Sequence, residues 1–100
     1  MLDHTAARGF INQIWDSEIT PTLTDYIRIP NKSPAFEPDW EKLGHMDRAV
    51  GMFAAWAREK IKALPGAMLS VEHLPGRTPL ILIEVPGDRP DTVLLYGHLD

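Results

Sequence analysis

The apolar positions of the chain change period along its length. From about Thr5 to Ile27, Phe10, Ile14, Ile19, Leu23 and Tyr26 or Ile27 recur at steps of three to five, with Ile11 and Trp15 widening the stripe. Arg8, Asn12, Gln13 and Asp16 fall outside it, so the segment reads as an amphipathic helix with one face seeking a core. Pro21 interrupts the run. It has no N–H to bond the Ser17 carbonyl, and its ring crowds that turn. Two outcomes are open: a kink, which is the expectation, or a second helix with Thr20 as N-cap and Pro21 at the first helical position. The stretch Pro30-Asn31-Lys32-Ser33-Pro34-Ala35-Phe36-Glu37-Pro38 holds three prolines in nine residues and reads as a loop. A long second helix is expected from Asp39 as N-cap, with Glu41 in its first turn, to a stop at Pro65-Gly66. Its stripe is Leu43, Met46, Val50, Phe53, Ala57, Ile61 and Leu64, read as core. Arg58, Glu59, Lys60 and Lys62 form a solvated face.

Beyond Gly66 the period becomes extended. Ala67 to Leu74 places Leu69, Val71 and His73 on one face and Met68, Ser70, Glu72 and Leu74 on the other, the pattern of a half-exposed edge strand. Leu80 to Val85 is apolar on both faces, as in an interior strand covered by helices. The turn Pro75-Gly76-Arg77-Thr78-Pro79 joins these two strands into an antiparallel hairpin. After the turn Pro86-Gly87-Asp88-Arg89-Pro90-Asp91, residues Thr92 to Tyr96 predict a third, buried strand. The order is helix, helix, strand, strand, strand, which is an α/β class, and short connections would set the last two strands side by side.

Composition narrows the function. The 100 residues suffice for one small domain that buries on the order of two-thirds of its unfolded surface. A hydrophobic share of 44% with three tryptophans argues against disorder. The net charge of −4, without a basic run or aromatics interleaved with Arg and Lys, makes nucleic acid an unsuitable partner. No apolar run approaches the roughly 20 residues of a membrane-spanning helix, so no membrane partner is expected. The amino terminus shows no secretory signal pattern, and the chain has no cysteine for disulfides or thiolate metal sites. Both features agree with a cytoplasmic protein.

The residues that can do chemistry lie at the end of the third expected strand, in Gly97-His98-Leu99-Asp100. A neutral imidazole at a strand's carboxyl end can ligate a metal ion. On extended backbone Asp100 projects from the same face as His98. It either binds metal itself or accepts the other ring N–H of His98, fixing the tautomer and angle of the ring. His4, His45 and His73 have no partner at ligand spacing and read as structural or solvated positions.

Leu94-Leu95-Tyr96-Gly97-His98-Leu99-Asp100 resembles the first metal motif of the dinuclear-zinc exopeptidases related to acetylornithine deacetylase, succinyl-diaminopimelate desuccinylase and the carnosinase-type cytosolic dipeptidases. Ile29-Pro30-Asn31-Lys32-Ser33-Pro34 is loosely similar to a Ser-containing segment that follows the first helix in that family. The resemblance implies His98 as a ligand of one of two zinc ions and Asp100 as the catalytic-site carboxylate that orients its imidazole. It implies hydrolysis of dipeptides or N-acyl amino acids through a metal-activated water. It also implies the amino-terminal portion of a three-layer α/β/α domain with a mixed sheet, in which a later strand lies between the second and third strands found here. The remaining ligands and the general base would come from later sequence, as would a lid or dimerisation domain that makes the parent a homodimer. On that expectation residues 1–100 are the amino-terminal part of a catalytic domain and are inactive alone. The alternative is a non-catalytic α/β interaction module or an inactive remnant. A nucleotide-binding domain is disfavoured because no Gly-rich loop joins a strand to a helix.

Overall fold

Asp3 starts the first helix: its Oδ1 accepts the Ala6 N–H at 3.0 Å, satisfying a donor that the first turn leaves open. In the computed structural model, which describes residues 1–100, the chain divides into two compact units, Met1–Pro30 and Asn31–Asp100. In the first unit α1 (His4–Ile14) runs into a π-turn (Trp15–Ile19) and then α2 (Thr20–Ile27) without leaving helical backbone. Of the two outcomes considered for Pro21, the second helix capped by Thr20 does not form. Thr20 has φ −59° and ψ −49°, so it does not cap a new helix, and its N–H reaches back five residues to the Trp15 carbonyl. A wider turn ahead of Pro21 accommodates the missing donor and moves the Ser17 carbonyl out of the ring's path. Ser17 Oγ donates to the Gln13 carbonyl at 2.7 Å and Thr24 Oγ1 to the Thr20 carbonyl at 2.8 Å, bonds that favour bending on either side.

In the second unit the expected long helix is two. Gly44, at φ 73°, ends α3 (Trp40–Leu43) in a left-handed residue, and α4 (His45–Ile61) begins directly after it. Only glycine adopts that backbone without strain. Asp39 makes no side-chain cap to the helix and lies 3.4 Å from Lys42 Nζ instead. The break also revises the core. Met46, Ala49, Val50 and Ala54 are buried, whereas Leu43 and Leu64, read as core, are exposed. Leu43 precedes the left-handed turn and Leu64 follows the end of α4, so neither continues its stripe. Ala49 and Ala54 are 0% and 1% exposed, small side chains on the buried face of α4.

The sheet is the hairpin of β1 (Met68–Glu72) and β2 (Leu80–Glu84), antiparallel as expected. Its register pairs Met68 with Glu84, Ser70 with Leu82 and Glu72 with Leu80. Pro75 and Gly76 (φ 73°) occupy the central places of a turn closed by the Arg77 N–H on the Leu74 carbonyl at 3.0 Å, the type II pattern. α4 packs on both strands. Contrary to what their short connection predicts, the last two expected strands do not lie side by side: β2 pairs with β1 alone, and the sheet of these residues is two-stranded. Leu80, Leu82 and Ile83 are exposed, so β2 is not covered on both faces as its apolar pattern predicts. Thr92 to Tyr96 belongs to no strand: its backbone meets no partner with which to form a ladder, and Val93 to Tyr96 are 80–89% exposed. The result is mixed helix with a small antiparallel sheet, an α/β composition. No helix is long and apolar enough to cross a membrane.

Candidate functional site

Tyr96, His98 and Asp100 occupy alternate positions of the chain, and their three side chains join in a row. His98 Nδ1 lies 3.2 Å from Asp100 Oδ1, and His98 Nε2 lies 2.9 Å from the Tyr96 hydroxyl. The Tyr96 ring meets the imidazole edge to face, with centroids 5.1 Å apart at 75°. A carboxylate accepts only, so Nδ1 carries the proton and donates to Asp100. In the neutral ring Nε2 then keeps its lone pair, and the Tyr96 hydroxyl donates to it. That lone pair is the one a metal ion would use.

The row borders a cleft of about 600 Å³. Val50, Phe53 and Ala57 of α4 and Leu80, Ile81 and Ile83 of β2 line its apolar wall, and residues 96–100 its polar side. The His98 side chain is 66% exposed and that of Asp100 25%. The carboxylate is thus the more sheltered of the two and the ring the more available.

Leu99, between them, is half-buried. Its carbonyl accepts a hydrogen bond from Asn31 Nδ2 at 3.2 Å, and the same amide nitrogen reaches Met46 Sδ at 3.5 Å. Neither Asn31 nor Tyr96 stood out as a site residue in the sequence. The only signal for Asn31 is its place in a Pro-rich loop long enough to approach a pocket. The other histidines are placed apart: His45 Nδ1 takes a hydrogen bond from Arg48 Nη2 at 2.6 Å, and His73 borders a different cleft of about 380 Å³ beside Arg77. No three His, Asp or Glu side chains converge as a metal-binding group. His98 and Asp100 stand as a pair, one imidazole nitrogen meeting one carboxylate oxygen.

The Tyr96 contact predicts a competition. Tyr96→Phe keeps the ring against His98 but removes the hydroxyl, and a net hydrogen bond of about 1 kcal/mol corresponds to roughly 5-fold in affinity. On the reading of His98 as a zinc ligand, zinc affinity measured by calorimetry should tighten by about that factor. Unchanged affinity would mean that the hydroxyl does not contest Nε2.

No family model matches the chain and no curated protein sequence does, so the functional reading stands on these residues and their geometry.

Proposed function

We propose that the chain is the amino-terminal part of a zinc-dependent metallopeptidase or amidohydrolase that hydrolyses dipeptides or N-acyl amino acids. The observation that carries the proposal is the 3.2 Å contact of His98 Nδ1 with Asp100, which directs the Nε2 lone pair away from the carboxylate. His98 supplies one ligand. Asp100 holds the ring in the Nδ1–H tautomer and, by drawing on that proton, makes Nε2 a better donor. Bound zinc would polarise the scissile carbonyl and lower the pKa of the attacking water. The apolar wall from α4 and β2 offers a surface to an apolar substrate side chain. The other ligands and the general base come from outside these residues.

The test is zinc stoichiometry and hydrolysis of a panel of dipeptides and N-acyl amino acids by the native gene product. Bound zinc with hydrolysis is expected. A product with neither sinks the proposal. It would favour instead the reading as a non-catalytic α/β module, to which the exposed apolar side chains of Val93 to Tyr96 lend support as an interaction surface.

A further inference from the structure

Residues Thr92 to Gly97 run exposed and without a ladder, yet the motif that follows has an anchor 68 residues away in sequence. A primary amide has two N–H groups, and those of Asn31 meet two acceptors, the Leu99 carbonyl at 3.2 Å and Met46 Sδ at 3.5 Å. Reversing the amide would set its oxygen against both acceptors, so its orientation is determined. Met46 is 4% exposed in the core face of α4. Asn31 thus links a fixed point of the core to the peptide group between Leu99 and Asp100. Holding that carbonyl limits rotation about the Leu99 backbone, and this rotation determines where the Asp100 carboxylate stands relative to the His98 ring.

We propose that Asn31 is a positioning residue for the His98–Asp100 pair: it holds the Leu99 carbonyl and so keeps the Asp100 carboxylate on His98 Nδ1. Its structural half concerns the tautomer of His98. Its functional half rests on the reading of His98 as a metal ligand. Asn31 touches neither the ring nor the place where a metal would bind; it acts through Asp100.

Asn31→Asp preserves the shape of the side chain but replaces the donor with an acceptor facing two acceptors. The ring nitrogens of His98 are followed by ¹⁵N NMR in the native gene product, at a pH high enough to keep imidazoles neutral. The wild type should show a protonated Nδ1 and an unprotonated Nε2. In Asn31→Asp the two resonances should move toward each other as the Nε2–H tautomer becomes populated. Zinc affinity should fall by about 10-fold or more, the scale of losing an orienting partner of a metal-bound histidine. Asn31→Gln, which restores the donor one methylene further out, should recover part of both changes. A melting temperature close to the wild type separates positioning from loss of fold. Should Asn31→Asp fail to fold, Asn31→Ala removes the donor without adding charge and gives the same readout. Unchanged ring resonances in a folded variant overturn the proposal. Shifted resonances in a protein that binds no zinc uphold the positioning and overturn the metal reading alone.

Discussion

His98→Ala is expected to remove tight zinc binding at one of two sites of the native gene product and to lower hydrolysis by at least about 100-fold, more than the loss of an orienting partner costs. Alanine offers no lone pair, and no His, Asp or Glu cluster among the 100 residues stands ready to replace it. Asp100→Asn should act differently. An asparagine can turn its oxygen to Nδ1–H, but without the charge that strengthens the bond, or it can turn its NH₂ toward Nδ1. The second orientation favours a proton on Nε2 and so blocks the ligand nitrogen. The expected loss of affinity is about 10–100-fold, with the site retained. Metal analysis and hydrolysis rates check both variants. Unchanged zinc content and activity in both would refute the assignment of the site.

Val50→Asp should abolish cooperative unfolding of the Asn31–Asp100 unit or lower its stability by about 3–5 kcal/mol, the cost of leaving a buried charge unpaired. Val50 is 5% exposed and sits in α4 with the other buried residues, Met46, Ala49 and Ala54, and no buried cation is present to meet a carboxylate. Small domains hold only about 5–15 kcal/mol in total, so the loss is a large part of the whole. Arg58→Asp, on the exposed face of the same helix, should cost only about 1 kcal/mol, the scale of exchanging a cation for an anion in the last turn. Urea titrations followed by circular dichroism measure both. A Val50→Asp curve like that of Arg58→Asp would mean that the α4 face is not the core of this unit.

The legible parts of the chain are those where local pattern and final environment agree. The β1–β2 hairpin follows from two extended runs and a Pro-Gly turn, all within about twenty residues, and needs nothing distant. The pairing of His98 with Asp100 agrees with their spacing of two, which outside a helix can bring both side chains to one side. The illegible parts depend on partners. The apolar run from Thr92 to Tyr96 has the composition of a buried strand, but composition does not supply a neighbouring edge, and the segment remains unpaired. The stripe of the second helix ran through Gly44, because periodicity reads side chains while the break is made by a backbone angle. Asn31 was invisible because its role depends on a contact with a carbonyl, a group that every residue carries.

The π-turn in the first helix has its own trace in the sequence, the five-residue step from Ile14 to Ile19, and it bears on which length changes the segment tolerates. A π-turn accommodates one residue more than an α-helical turn, and each residue advances a helix by about 100°. Deleting one residue between Trp15 and Ile19 would restore plain α-helical spacing, yet it would also bring Pro21 back against an α-helical carbonyl. The apolar positions Leu23 and Tyr26 would stay aligned with Ile14 only through the new spacing, and the proline would then need a different relief. Compensated changes are therefore the ones to look for in descendants of this helix: loss of a residue at Trp15–Ile19 should come together with replacement of Pro21. Either change alone would leave the helix with a bulge it does not need or a proline it cannot accommodate.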